Sequence, residues 1–105
     1  MSLRNAEYSV VWPRGPSNVA FKQMAPRLET LTGKTIAFCW DYVFRGDEIW
    51  GILKERLSRR YPGLTFIDHD VFGSTHGGDE HEVVAALPAK LKALNVDAVV
   101  SGVGC

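Results

Sequence analysis

The residues best suited to chemistry gather at the C-terminus, where Ser101-Gly102-Val103-Gly104 leads into Cys105. A cysteine attacks as its thiolate, and the N-terminus of a following helix is a common device for favouring that form. Here Cys105 is followed by no helix and carries the terminal carboxylate, which opposes a second negative charge. The plain alternative is therefore a terminal thiol with no catalytic role. Asp41 closes the apolar run TIAFCWD, and a carboxylate there could orient a ligand, act as an acid or base, or cap a turn. Tyr42 and Arg45, just beyond it, are candidates for holding an acidic ligand, against the commoner fate of solvated loop residues. Cys39, between Phe38 and Trp40, reads as a small buried hydrophobe.

A second cluster lies in DHDVFGSTHGGDEHE (68–82), where His69, His76 and His81 alternate with carboxylates. These are ligand types for zinc or another divalent cation. No HExxH or close histidine pair fixes a geometry, and glycines loosen the stretch. The expectation is a solvated polar loop and no metal, with the three histidines as the candidates should one bind. Ser74 and Thr75 carry no signal of nucleophilic catalysis. GVG after a strand is a poor dinucleotide fingerprint, because the third glycine and the following helix are missing.

These groups need a scaffold, and 105 residues allow one domain or part of one. Twelve Lys+Arg balance twelve Asp+Glu, so no basic excess points to nucleic acid, and KERLSRR (54–60) reads as a solvated helix end. No apolar run approaches the length of a membrane helix, and no signal peptide opens the chain, so a cytoplasmic protein is expected. Two distant cysteines cannot form a disulfide framework and should stay thiols.

From Lys34 the pattern is regular. TIAFCWD (35–41) reads as a parallel strand covered on both faces. DEIWGILKERLSRRYPG (47–63) reads as a helix with Ile49, Ile52, Leu53 and Leu57 inside. Asp47 is placed to cap it and Pro62-Gly63 to stop it. LTFIDHDVF (64–72) is a second strand. HEVVAALPAKLKALN (81–95) is a second helix with Val84, Leu87, Leu91 and Leu94 on one face and a kink or restart at Pro88. DAVVSGVG (97–104) is a third strand. The class is α/β: a three-stranded parallel sheet of expected order 2-1-3 built as β-α-β-α-β, half of a doubly wound, flavodoxin- or Rossmann-like unit. Its crevice should open at the carboxyl ends of the first and third strands, at Asp41, Tyr42 and the Gly102, Val103, Gly104 turn. Residues 1–33 form an irregular arm, with EYSVVW (7–12) as a possible short strand and APRLETLTG (25–33) as one or two helical turns, strapped over the 34–105 core.

APRL-x-x-L-x-GKTI (25–36), the LTGKTIAF run and the terminal DAVVSGVGC resemble the UGSC family, over roughly residues 25–105. In that family a GVG-type turn leads into U-G-S-C or C-G-S-C, where U is selenocysteine. The resemblance implies a thiol or selenol redox protein that is longer than this chain, with a further βα section. Gly102, Val103 and Gly104 match the turn, and Cys105 matches the position just before the reactive residue. Because selenocysteine is encoded by UGA, an expected explanation of the ending is a chain cut at an in-frame UGA, an inactive N-terminal part of a longer domain. No cofactor is expected beyond the selenocysteine of the full-length protein. The alternative is a complete small binding or interaction module using the crevice near Asp41 and Cys105. A fragment with its third strand at an open edge should form a homo-oligomer through that edge, whereas a complete module could be a monomer; a small molecule or a thiol redox partner is the expected ligand.

Overall fold

The computed structural model describes residues 5–104. Its elements run β1 (Thr35–Trp40), α1 (Gly46–Arg60), β2 (Thr65–Ile67), a short 3₁₀ turn (His69–Val71), α2 (Glu80–Ala93) and β3 (Ala98–Gly102). The sheet has the order β2-β1-β3, with β1 parallel to both neighbours. Ile36 lies opposite Phe66 on one side and Ala98 on the other, so β1 is the central strand. The sequence expectation of a parallel α/β unit with this strand order holds.

The order follows from two crossovers leaving β1 and β2 in opposite directions, which puts one helix on each face of the sheet. Successive side chains of β1 therefore enter different layers. Phe38 and Trp40 pack with Trp50, Ile49 and Leu53 of α1, joined by Phe66 and Val100. Ala37 and Cys39 pack with Leu87 and Leu91 of α2 and with Phe72, Ile67 and Val96. Phe38 stacks on Trp50 at 5.0 Å and on Phe66 at 5.7 Å, so aromatic contact ties α1 to the sheet.

Several local expectations are corrected. The second strand is only Thr65–Ile67, because the chain turns at Asp68, whose carbonyl accepts from the Val71 amide. That turn drives Phe72 into the α2 layer, where it is 1% exposed. Helix α1 starts at Gly46 behind Arg45, so Asp47 is a first-turn residue favoured by the helix dipole and not the cap. Ile52 is exposed while Trp50 is buried, which rotates the buried stripe of α1 from the expected one. In α2 the buried valine is Val83, at 9% exposure; Val84, at 52%, faces out. The stripe is thus 83, 87 and 91, a strict i, i+4 spacing.

Pro88 neither breaks nor restarts α2, which is assigned as one helix from Glu80 to Ala93. Proline removes the hydrogen bond to the carbonyl of Val84. Because both residues lie on the exposed face, water can take that carbonyl.

The arm also differs from expectation. Residues 5–34 contain neither the EYSVVW strand nor the helical turns, and the arm does not strap the core: Tyr8, Val10, Val11, Trp12, Val19 and Phe21 are all exposed.

Candidate functional site

The site begins where β1 ends. The Asp41 amide donates to the Gly102 carbonyl at 3.1 Å, which continues the β1–β3 pairing by one residue. The Asp41 carboxylate then turns into the loop after β3. Its Oδ1 accepts from the Val103 amide at 3.0 Å and the Val43 amide at 3.3 Å, and its Oδ2 accepts from the Gly104 amide at 3.0 Å. One side chain therefore clamps two loops that are about sixty residues apart in the chain. Gly104 has φ of 86°, in the left-handed region that glycine adopts without a steric penalty. The Gly102–Val103 peptide is cis.

Burial by itself would push the Asp41 carboxyl up, but hydrogen bonds from the Val103, Val43 and Gly104 amides outweigh it and hold the group below its ordinary range. Asp41 stays a carboxylate engaged by its own backbone. This geometry is that of a residue that positions the turn.

A third segment joins the same edge. The Thr75 amide donates to the Trp40 carbonyl at 3.2 Å, and the Ser74 hydroxyl donates to the Asp41 carbonyl at 3.4 Å while accepting from the His76 amide at 3.1 Å. Ser74 thus has a structural task that its sequence context did not signal. Contacts spanning thirty-three residues leave no local pattern to read.

The loop from Asp41 to Gly46 is strained. Tyr42 and Phe44 have φ of 61° and 60°, a conformation that costs a side-chain-bearing residue on the order of 1 kcal/mol. The loop is held by the Trp40 indole, whose Nε1 donates to the Val43 carbonyl at 3.0 Å. Tyr42 stacks on that indole at 4.6 Å between ring centres. His69 sits edge-on to both rings, with Nδ1 at 3.1 Å from the Tyr42 hydroxyl. Gly46 is the piece that sequence reading missed. A Cβ there would lie 2.2 Å from Trp40 Nε1, so only glycine allows α1 to start under the indole.

Beside this aromatic group runs a shallow groove of about 380 Å³ between α1 and the turn after β2. Lys54 pairs with Asp68 within it, and Asp47, Asp70 and His69 complete its polar wall. Trp50 forms part of its floor, and its indole Nε1 is buried without a hydrogen-bond partner among the described residues.

Of the residues singled out from sequence, Asp41, Gly102, Val103 and Gly104 meet directly. Tyr42 instead packs against Trp40 and His69. Arg45 is engaged by Glu48 at 3.3 Å, in solvent. His69, His76 and His81 are not brought together, and among the described residues no three His, Cys, Asp or Glu side chains converge as a metal site would need. Cys39 is buried, and burial pushes its thiol up, away from the reactive thiolate. Cys105 lies outside the described residues. Among those residues no helix is long and apolar enough to cross a membrane.

Comparison with known proteins gives one family. The UGSC family matches residues 9–105, which include the whole β-α-β-α-β unit, Asp41 and the turn it clamps, and part of the arm. No curated protein and no solved structure matches the chain. On a match covering all but its first eight residues, the chain belongs to the UGSC family.

Proposed function

We propose that the intact protein is a thiol or selenol redox protein, and that the part described here builds the mount for its reactive residue. The observation that carries this reading is the Asp41 clamp, which seizes the amides of Val103 and Gly104 immediately before the place where the family resemblance puts the U/C-G-S-C motif. When present, a selenol there supplies a nucleophile ionised at neutral pH, and a cysteine one that reacts as its thiolate, for two-electron exchange with a disulfide, which opens to two thiols as the protein's own pair closes.

This chain's residues prepare that exchange. Asp41 and the β1–β3 pairing fix the direction in which the backbone leaves the sheet. The loop that carries Tyr42 is held against Trp40 and His69, and the adjacent groove offers a substrate a polar wall and an aromatic floor. Three backbone amides already donate to the Asp41 carboxylate, which favours a positioning role for it over the ligand-holding one of the binding-module alternative.

Two measurements test the reading. The gene should continue after the Cys105 codon with an in-frame UGA or cysteine codon followed by Gly-Ser-Cys. The full product, made with selenocysteine incorporated where UGA stands, should reduce a small disulfide with dithiothreitol as electron donor, and replacing the reactive residue by serine should abolish the activity. An absent motif refutes the proposal, as does a serine variant of undiminished activity.

A further inference from the structure

The groove between α1 and the turn after β2 carries a charge imbalance and an unmet hydrogen bond that the fold itself does not use. Of its charged side chains, Lys54 pairs with Asp68, while Asp47 and Asp70 make no ion pair among the described residues. Two carboxylates are therefore in excess, and both belong to exposed residues. The floor supplies an independent observation. Trp50 is only 4% exposed, and its Nε1 has no acceptor among the described residues. Buried N–H groups are almost always paired, so an open one beside a groove marks where an acceptor belongs. The benzene end of the indole lies at the Gly102 turn, with Cη2 3.5 Å from the place of a Gly102 Cβ. The pyrrole end, which carries Nε1, is left toward the groove that Trp50 lines.

We infer that this groove seats an organic ammonium compound bearing a carbonyl or hydroxyl oxygen. The ammonium groups answer Asp47 and Asp70, and the oxygen accepts from Trp50 Nε1. A metal ion does not match the same features: no three ligating side chains converge among the described residues, and an indole N–H is a donor only. An anion meets two excess carboxylates, and the one lysine of the groove is already paired. At about 380 Å³ the groove lies within the usual range of small-molecule sites. Trp50 reaches from the groove to Gly102, so a molecule seated here lies beside the turn that leads to the reactive position. The inference deepens the redox reading by naming its substrate class, a cationic disulfide. It rests on that reading for the chemical step, in which the substrate's S–S bond takes up two electrons and two protons as the protein's pair is oxidised. The binding itself does not depend on it.

Two tests use the full product. The first is binding, followed at the Trp50 indole N–H resonance, with lysinamide as the probe because it has two amines and one amide carbonyl. Lysinamide should move that resonance downfield and saturate at about millimolar concentration. Cadaverine, which is lysinamide without its carboxamide, should bind more weakly and leave the resonance in place. Glutarate, an anion of similar length, should not bind. The double substitution Asp47→Asn with Asp70→Asn should weaken lysinamide about tenfold at low salt. High salt should weaken it in the unaltered protein, which needs no variant to fold. No saturable shift, a Trp50 signal that stays in place, glutarate bound as well as lysinamide, or an affinity indifferent to salt overturns the inference. The second test is turnover. Cystamine, a dication, should be preferred to dithiodiglycolate, a dianion, and the double substitution should cut that preference about tenfold. A preference that the substitutions leave unchanged overturns the inference while the redox reading stands. Failure to reduce even the neutral bis(hydroxyethyl) disulfide refutes the redox reading instead, and the binding result alone then decides whether the groove takes a cation.

Discussion

Helix α1 holds two glycines that should respond to the same substitution with opposite signs. Gly46 lies under the Trp40 indole, where a new Cβ would approach Nε1 to 2.2 Å and two further ring atoms to 2.6 and 2.7 Å. Trp40 cannot swing aside freely, because it is 8% exposed, stacked on Tyr42 and flanked by His69. Gly46→Ala must therefore displace the indole, at about 1–3 kcal/mol for overpacking. Moving the indole also breaks the hydrogen bond to Val43 and loosens the Tyr42 stack, worth about 1 kcal/mol each. Alanine's better helix propensity returns at most about 1 kcal/mol. The net is a loss of about 2–4 kcal/mol. At about 4–8 °C per kcal/mol for a domain of this size, Tm should fall by at least about 8 °C. Gly51 has open space around it and lies mid-helix, so Gly51→Ala should gain up to about 1 kcal/mol. Thermal melts of both variants, at one fixed protein concentration so that association does not intrude, decide the matter. Near-UV circular dichroism should also change for Gly46→Ala alone. If Gly46→Ala melts at or above the wild-type temperature, the placement of Trp40 over the helix start is wrong, and with it the account of the Asp41–Gly46 loop.

Three other predictions follow from the same geometry. Asp41 has a folded-state pKa below its unfolded value, so its contribution to stability is present above the unfolded pKa and is lost as pH falls through the lower folded one. Denaturant titrations across pH should therefore show Asp41→Asn less stable than wild type at neutral pH, the gap closing only in acid below the usual carboxylate range; a gap that closes between pH 6 and 8 contradicts the clamp. Amide exchange at Val103 and Gly104 should accelerate in that variant. Cys39, buried and with its thiol pushed up, should resist a disulfide reagent in the native protein and react once denaturant unfolds it, measured in a Cys105→Ser background so that a single thiol reports. Rapid native modification would show that the β1 layer is open. In α2, Val83→Ala should cost about 2 kcal/mol through lost burial and a residual cavity. Its neighbour Val84→Ala should stay within about 0.5 kcal/mol. Equal losses from the two would place the helix in the wrong rotation.

The alternation of apolar runs and helical periods was enough, by itself, to determine a parallel α/β unit with β1 in the middle. Element identity is local, and the right-handed crossover rule leaves few arrangements for three strands joined by two helices, of which the doubly wound one, with a helix on each face, puts β1 in the middle. The carboxyl end of β1 could be named as the place to look for the same reason, and Asp41, Gly102, Val103 and Gly104 do meet there. What the tertiary structure decided is which atoms face each other. Val83 or Val84 could have been the inward residue on sequence pattern, because a rotation of one position along a mostly apolar helix changes the pattern little; the packed structure buries Val83, against Gly73, and leaves Val84 exposed. The roles of Ser74, His69 and Gly46 depend on partners far away in the chain or on a steric limit set by a neighbouring ring. Asp41 changed most. From its position it was a candidate acid, base or ligand; with both oxygens engaged by backbone amides, it is the clasp that holds the Gly102–Gly104 turn to the sheet, because a buried carboxylate is stable only when its charge is fully hydrogen-bonded.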